Sequence, residues 1–384
     1  REHSSDDVRV LALQAKKYPD IDMPTVITQI AGRKVAAEKI PSWWEIEKIW
    51  YPKHLSLEQC SSEITARYKA RLFQGDSLTD LTGGFGIDCS FLATGFKSAT
   101  YVERQEELCE IAAHNFPILN LNHINVRNED GVAYLQTMSP VDCIFLDPAR
   151  RNEHGGKTVS IADCEPNVAE LEDLLLSKAS RIMIKLSPML DLSLALKELK
   201  HTQEVHILSV NNECKELLIL LGQTSPAEIT IHCVNLFTKG TQEEQHFVFT
   251  REQEQRSQCT YTDSLGDYLY EPNASLLKAG AFRSIAAAYP VRKLHPNSHL
   301  YTSDTFIENF PGRIFRIVNQ CSFNKKEVKE NLADLKKANV TVRNFPATVA
   351  ELRKRIHLAE GGDTYLFAST LNNGQKVLIR CEKV

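Results

Sequence analysis

The sequence predicts an α/β protein in which a doubly wound parallel sheet follows an N-terminal helical region and precedes a C-terminal α+β domain. Two observations predict this fold class. Between residues 77 and 210, short apolar runs alternate with helix-like segments, and a glycine-rich turn follows the first run. Continuously apolar strands that alternate with helices are typical of a parallel sheet covered by helices on both faces.

The first region, residues 1–75, is predicted to be mostly helical. The apolar residues in 8–13 and 26–30 have a spacing that is compatible with helices. Ser42 indicates a helix start, and a second capping serine precedes a helix that reaches Lys69. No catalytic signal is evident in this region.

The sheet belongs to a predicted domain that spans residues 76–227. Its strands are expected at 78–82, 99–103, 124–128, 141–147, 181–186 and 205–210. The helices between them are expected at 88–93, 105–115, 131–137, 168–177 and 193–200. A further apolar run, either 217–221 or 229–234, is expected to close the edge of the sheet.

The remainder is predicted to contain a linking α+β segment, 228–310, and a small α+β domain, 311–384. In the segment we expect a hairpin of 228–237 with 246–250, and a helix over 274–289. The last domain has a β-α-β-α-β-β order, with elements at 314–319, 325–337, 340–344, 349–357, 365–370 and 376–382. Asn373-Gly374 indicates a hairpin turn between the last two strands.

Composition excludes several classes of protein. The 384 residues are 42% apolar and 24% charged, which is typical of a globular chain with several domains. The sequence lacks a stretch of about 20 uncharged apolar residues, so we expect no membrane segment. The ten cysteines include no Cys-x-x-Cys pair, so no structural metal is expected. Thiols in apolar runs indicate a reducing, cytoplasmic location.

The net charge of −4 conceals an asymmetry between the two parts of the chain. Residues 271–384 contain 18 Lys and Arg against 10 Asp and Glu, a balance of +8, and the rest of the chain has a balance of −12. A basic part attached to an acidic part indicates an anionic partner. The alternative is that solvated helix faces are rich in lysine.

A glycine-rich turn follows the first predicted strand and opens a helix. It runs from Asp80 to Asp88, and its candidate ligand-binding residues are Asp80, Thr82, Gly83, Gly84, Gly86 and Asp88. Glycines allow the backbone to approach a ligand closely. The dinucleotide fingerprint is incomplete because Cys89 occupies the third glycine position. A carboxylate before the turn favours a cationic ligand, such as the amino group of a methionine moiety, although a turn without a ligand is the alternative.

Two more acidic residues follow the next two predicted strands. Glu103 ends the second strand, where a carboxylate accepts hydrogen bonds from ribose hydroxyls, and Asp130 follows the third strand, where it can accept from an adenine amino group. Each acid alone is more often a solvated charge. Three of them at successive strand ends are expected to share the crevice in which open α/β sheets bind ligands.

The fourth predicted strand ends in Asp147-Pro148-Ala149-Arg150-Arg151. Together with the preceding motifs, this order resembles the class I S-adenosylmethionine-dependent methyltransferases, which have a Rossmann-like sheet. From about Leu57 to its end, the chain resembles the branch of that family with a THUMP-like, ferredoxin-related C-terminal domain. Four further segments contribute to this resemblance: 58–69, 185–188, 271–274 and 294–301.

The resemblance implies a role for each motif. S-adenosylmethionine would be the cofactor, with Asp80 and the glycines around its methionine end, Glu103 on the ribose and Asp130 on the adenine. Asp147 and Pro148 would face the methyl acceptor. If the acceptor is an exocyclic amine, Asp147 can accept its hydrogen bond and direct the nitrogen lone pair at the methyl group. An ordinary turn at the end of a strand is the alternative for Asp147-Pro148.

The acceptor is interpreted as RNA, either tRNA or rRNA. Enzymes that form 5-methyluridine in RNA need a cysteine after the next strand, and Ser187 and Pro188 stand there instead. Cys214, one strand later, is a nucleophile candidate or a structural thiol. This departure favours a nitrogen acceptor over carbon 5. Arg150, Arg151 and Lys185 would bind RNA phosphates at the mouth of the crevice, or pair with nearby acids.

Two alternative functions remain open at this point. One is a methyltransferase that acts on a small molecule or a protein. The other is a non-catalytic RNA-binding protein that retains the fold. The oligomeric state is not predicted.

Overall fold

A computed structural model of the chain describes residues 8–13, 18–150 and 160–384. It divides into two compact units. The first extends to Val205 and resumes over Glu216–Ala227, and the second contains His206–Lys215 and Glu228–Val384. The chain therefore passes between the units three times: within β8 (Thr202–Val210), within β9 (Glu213–Gly222) and after Ala227.

The first unit begins with helices, as the sequence predicts. Its helices are α1 (Val8–Leu13), α2 (Met23–Lys39), α3 (Pro41–Trp44), α4 (His54–Gln59), α5 (Glu63–Leu72), α6 (Ile87–Ala93), α7 (Glu106–Ile118), α8 (Gly131–Thr137), α9 (Val168–Lys178) and α10 (Leu192–Glu198). The side chain of Asp22 caps α2 by accepting a hydrogen bond from the Thr25 backbone N–H. Buried Trp43 packs edge-on against Phe85, with ring centroids 5.2 Å apart. The N-terminal helices therefore pack on the segment that contains the glycine-rich turn.

The strands of the first unit form a sheet in which parallel pairing predominates. The complete strands are β1 (Gly75–Asp80), β2 (Phe96–Glu103), β3 (Ile124–Asn128), β4 (Val141–Leu146), the two-residue β5 (Ala149–Arg150) and β6 (Cys164–Glu165), and β7 (Ala179–Leu186). The sheet contains nine described strands, and this part of its order is β9-β7-β4-β1-β2-β3. The pairs from β7 to β3 are parallel, and β9 is antiparallel to β7.

The predicted fold class is confirmed, and its local reasons are visible in burial. Ile144 and Ile182, on neighbouring central strands, are fully buried, so both predicted apolar runs lie inside the unit. The elements β3 and α8 have the predicted bounds. The run 217–221 pairs with β7 as part of β9. The prediction that it closes the edge is wrong, because the strand order continues beyond β9 and ends at β11.

The second unit is built mainly of antiparallel strands. Its complete strands are β10 (Thr230–Leu236), β11 (Glu244–Thr250), β12 (Tyr268–Pro272), β13 (Arg292–Lys293), β14 (Tyr301–Ser303), β15 (Gly312–Ser322), β16 (Asn339–Val342), β17 (Thr364–Thr370) and β18 (Lys376–Lys383). Its helices are α11 (Arg251–Arg256), α12 (Ala274–Ala279), α13 (Ser284–Ala288), α14 (Lys325–Leu332) and α15 (Val349–Ile356). A seven-stranded sheet has the order β13-β14-β12-β15-β18-β17-β16.

Turn chemistry explains one difference from the sequence prediction in this unit. The helix expected over 274–289 is divided into α12 and α13, because Gly280 adopts a left-handed conformation with φ of +76° and ends the first piece. The hairpin of β17 and β18 forms as expected, with Gly374 at φ of +84° in its turn.

Two further sequence expectations concern the whole chain. All ten cysteines lie in the described ranges, and each is a free thiol. Among the helices of the described residues, none has both the length and the apolar character needed to cross a membrane.

Candidate active site

Four neighbouring parallel strands end at one edge of the first unit's sheet, and an acidic residue stands at each end. Asp80 and Glu103 are the last residues of β1 and β2. Asp130 lies two residues after β3, and Asp147 directly follows β4. Because the carboxyl ends of parallel strands meet at the same edge, the topology brings all four acids to one side of the sheet.

The glycine-rich turn follows β1 and takes backbone conformations that favour glycine. Gly84 and Gly86 have φ of +55° and +85°. A Cβ atom on Gly83 would lie 2.3 Å from the ring of Tyr101, so a side chain there would displace this buried tyrosine. On Gly84 the nearest atom to a Cβ is the Thr82 carbonyl oxygen at 3.7 Å, so this side of the turn is open.

Glu103 holds the turn from the neighbouring strand. Its Oε2 accepts a hydrogen bond of 2.9 Å from the backbone N–H of Gly84, and its Oε1 accepts one of 2.8 Å from Gln105. The side chain is buried among these groups. The carboxylate predicted to bind ribose therefore lies against the glycine-rich turn.

Asp80 is a buried carboxylate beside other acids. Its Oδ1 accepts a hydrogen bond of 2.9 Å from the Thr82 N–H, and the residue is 1% exposed. Burial raises the pKa of Asp80 well above its ordinary value, the Thr82 hydrogen bond opposes this, and the charges of Asp88, Asp147 and Glu103 raise it further. A cation beside Asp80 would stabilise its ionised form.

Thr82 also connects two of the strand ends. Its hydroxyl accepts a hydrogen bond of 2.6 Å from the backbone N–H of Asp147, so the turn after β1 positions the residue that follows β4. Pro148, the next residue, is buried.

Asp130 caps helix α8 and lies beside the same turn. Its Oδ1 accepts hydrogen bonds of 3.0 Å from the backbone N–H groups of Val132 and Ala133. A Cβ atom on Gly131 would lie 2.1 Å from the carbonyl oxygen of Leu81, so glycine allows the start of α8 to approach the turn. Asp130 itself is exposed.

Lys185 extends from β7 to the acid that follows β4. Its Nζ lies 2.5 Å from Oδ2 of Asp147, 3.4 Å from Oδ2 of Asp88 and 3.1 Å from the hydroxyl of Ser61. Lys185 is 7% exposed, whereas the Asp147 side chain is 35% exposed. The ammonium group is therefore directed at carboxylates within the unit, and Asp147 keeps an exposed part.

A second lysine completes the ion network. Lys69, on α5, is fully buried, and its Nζ lies 2.9 Å from Oδ1 of Asp88 and 2.6 Å from Oε2 of Glu216. It also donates a hydrogen bond of 2.8 Å to Ser61. Two ammonium groups thus meet three carboxylates, those of Asp88, Asp147 and Glu216.

The network sets the ionisation of its members. Burial alone would raise the pKa of Asp88, but the ammonium groups of Lys69 and Lys185 bring it below its ordinary range. Burial would lower the pKa of Lys185, but the adjacent carboxylates, Asp147 first, raise it well above its ordinary value. Desolvation raises the pKa of Asp147, and Lys185 opposes that rise. These carboxylates therefore favour the cationic form of Lys185.

The structure places most of the predicted site residues around this edge of the sheet. Asp88 lies in the ion network, in the first turn of α6. Arg150 is in β5, but its side chain is outside the described part of the chain, and Arg151 lies outside the described residues altogether. Their roles stay predictions.

Sequence reasoning missed three members of the network: Ser61, Lys69 and Glu216. The segment 58–69 contributed to the family resemblance without receiving a role. Glu216 stands directly before the apolar run 217–221. A charged residue beside an apolar run was the signal that could have indicated an ion pair, because a buried charge needs a partner of opposite charge.

Comparison with solved structures identifies the family. One solved crystal structure is that of a protein from Porphyromonas gingivalis W83 that is assigned as a methyltransferase. Its sequence is 37% identical to this chain, and the match covers 98% of this chain and 97% of that protein. The two structures superpose with a TM-score of 0.86. The chain belongs to this methyltransferase family. Two family models match this chain. A model described as a ferredoxin-like domain matches residues 268–311, and one described as THUMP domain-like matches residues 312–383. The predicted resemblance is confirmed.

Other solved structures are less similar to this chain. An rRNA methylase from Streptococcus thermophilus is 13% identical over 41% of the chain and 93% of its own, with a TM-score of 0.30. TrmK from M. capricolum, in complex with S-adenosylhomocysteine, is 13% identical over 42% of the chain and 68% of its own, with a TM-score of 0.33. Similarity at this level bears on neither the substrate nor the cofactor of this chain. No curated protein matches the sequence.

Replacement of Lys69 tests the ion network. We expect Lys69→Met to reduce the free energy of unfolding by about 3–5 kcal/mol, because it leaves the buried carboxylates of Asp88 and Glu216 without their shared cation. Urea denaturation of the full chain measures the change. Arg67→Met, on the same helix, is the control: Arg67 is 58% exposed in its pair with Glu63, so its loss should cost less than about 1 kcal/mol. Equal effects of the two substitutions would contradict the network's contribution to stability.

Proposed function

We propose that this methyltransferase transfers the methyl group of S-adenosylmethionine to a nitrogen atom of RNA. The observation that carries the proposal is the position of Asp147. It follows a central strand, it is linked through Thr82 to the glycine-rich turn, and it is ion-paired with Lys185 while part of it remains exposed. A carboxylate in this position can accept a hydrogen bond from a substrate that lies next to a bound cofactor.

The residues at the strand ends suit S-adenosylmethionine, which carries a sulfonium and an ammonium charge. Asp80 is a buried acid that a cation would stabilise, and the open side of Gly84 leaves room for a ligand against the backbone. Asp80 and the turn would hold the methionine end, Glu103 the ribose and Asp130 the adenine. The cofactor supplies an activated methyl group on a good leaving group.

Asp147 is the proposed catalytic residue. A carboxylate that accepts a hydrogen bond from an exocyclic N–H orients the nitrogen lone pair, and positioning of this kind contributes most of the rate acceleration when the leaving group is already activated. Lys185 favours the ionised form of Asp147, which is the form that accepts. Lys185 is therefore a positioning residue in this proposal, and its buried ammonium is not available to RNA phosphates.

Two observations support RNA as the acceptor. Residues 312–383 match a THUMP domain-like model, and residues 271–384 carry a balance of +8, which favours a polyanion. Arg150 and Arg151 follow Asp147-Pro148-Ala149 in the sequence, so they remain candidates for phosphate contacts.

The proposal also keeps the division of the chain into four segments: 1–75, 76–227, 228–310 and 311–384.

Transfer of labelled methyl groups to RNA tests the function. The full chain is incubated with methyl-labelled S-adenosylmethionine and total RNA from cells that lack its gene, and the RNA is digested to nucleosides for mass spectrometry. We expect label in an N-methylated nucleoside, and none with Asp147→Asn. Label on carbon 5 of a pyrimidine would contradict the nitrogen acceptor. Label that appears only in protein or in small molecules would contradict RNA.

Replacement of Asp80 tests cofactor binding. Asp80→Asn keeps the shape and removes the charge, so we expect the Kd for S-adenosylmethionine to rise about tenfold to a hundredfold, as when a charged hydrogen bond worth about 1.5–3 kcal/mol is lost. Isothermal titration calorimetry measures the Kd of each variant for S-adenosylmethionine. Asp76→Asn is the control, because Asp76 lies at the exposed start of the same strand and pairs with Lys97. Unchanged affinity in Asp80→Asn would remove Asp80 from the cofactor site.

The pH dependence of methyl transfer tests the pairing of Asp147 with Lys185. Desolvation raises the pKa of Asp147 and Lys185 lowers it, so loss of the ammonium should raise this pKa further. In Lys185→Met, the pH below which kcat declines should therefore move upward, whereas Lys185→Arg, which keeps the charge, should stay close to the wild-type profile. Circular dichroism verifies that the variants fold. Identical acid limbs in Lys185→Met and the wild type would exclude Asp147 as the titrating group.

A further inference from the structure

Three histidines lie side by side on neighbouring strands of the second unit. His206 is in β8, His232 in β10 and His246 in β11, and these strands are successive neighbours in their sheet. In the antiparallel pair β10–β11, His232 is opposite Val248 and His246 is opposite Val234. Residues two positions apart in a strand share a face, so His232 and His246 are diagonal neighbours on one face.

The imidazole rings of these residues form a continuous array. The rings of His206 and His232 stack with centroids 4.2 Å apart and planes within 3°, and those of His232 and His246 have centroids 5.3 Å apart. Nδ1 of His232 lies 3.1 Å from Nε2 of His246. His206 is 2% exposed, His232 is half-buried and His246 is exposed, so the array extends from the core to the surface.

We propose that His206, His232 and His246 bind one zinc ion. Imidazole nitrogens bind Zn²⁺ at about 2.0–2.1 Å, which places two nitrogens of a tetrahedral site about 3.3 Å apart. The nitrogens of His232 and His246 are already 3.1 Å apart, and those of His206 and His232 lie within 4.8 Å of each other. The lone pair of a ring nitrogen lies in the plane of the ring, so binding requires the three rings to turn out of their stack until their nitrogens face one ion.

The ligand set is typical of a transition-metal site. Imidazole nitrogen suits Zn²⁺, and the stacked array brings three imidazole side chains to one face. An ion bound here connects β8, β10 and the edge strand β11, and so stabilises the folded second unit.

This site is independent of the proposed methyl transfer. Cysteine spacing predicts no structural metal, and the three histidines escape sequence motifs because they are 26 and 14 residues apart. They become neighbours only through strand pairing.

Zinc binding by the tag-free full chain tests the inference. After treatment with a chelator and dialysis, calorimetric titration with ZnCl₂ should show one ion per chain with a micromolar or tighter Kd. His232→Ala, which removes the central ring, should abolish binding, and His246→Ala, at an exposed position, should weaken it at least tenfold. His357→Asn is the matched control in the same unit, since its φ of +56° is one that asparagine tolerates.

Thermal unfolding provides a second measurement that does not depend on activity. Zinc should raise the melting temperature of the wild type and of His357→Asn with increasing concentration, because it binds the folded state, and should leave that of His232→Ala unchanged. The melting temperatures without zinc show whether each variant folds. Absence of equimolar binding in the wild type, or wild-type affinity in His232→Ala or His246→Ala, would overturn the proposal.

Discussion

Two lysine ammonium groups are buried among three carboxylates, and the geometry of the candidate active site depends on this ion network. Charges removed from water must be paired closely, because the cost of desolvation otherwise exceeds what the fold can offset. Lys69 comes from the N-terminal helical region and Lys185 from the sheet, and both contact Asp88. Docking of helix α5 on the sheet therefore completes the pairing of Asp88, the carboxylate that both lysines share. Stability and the orientation of the proposed catalytic carboxylate thus rest on the same contacts.

The glycine-rich turn is supported on two sides. Tyr101 packs beneath Gly83, and its hydroxyl donates a hydrogen bond of 2.5 Å to the carbonyl oxygen of Gly84. Phe85, within the turn, is buried against Trp43 of the N-terminal helices. A turn held in this way keeps its backbone in a defined conformation before any ligand arrives, so less ordering is needed on binding. The helical region is consequently part of the site's architecture, although it supplies no proposed ligand to the cofactor.

Pairing of buried charge also organises the second unit. Glu271, whose side chain is 2% exposed, accepts hydrogen bonds from Arg313 and from Arg343. These arginines remain about one-third exposed, so part of the positive charge of residues 271–384 has a structural role. The histidine array follows a different principle, in which three imidazole side chains from neighbouring strands gather on one face. A bound cation would give that arrangement a physical reason.

The sequence by itself determined the order of the main strands and helices in the first unit and the acids at the strand ends. Apolar periodicity and turn chemistry act over a few residues, so β3 and α8 were predicted with their bounds, and Glu103 and Asp147 followed from the rule that parallel strands end at one edge. Tertiary structure alone decided which charges meet. Lys69 and Glu216 are 147 residues apart, and only packing brings them to 2.6 Å, because a charge acts through space and its partner leaves no spacing in the chain.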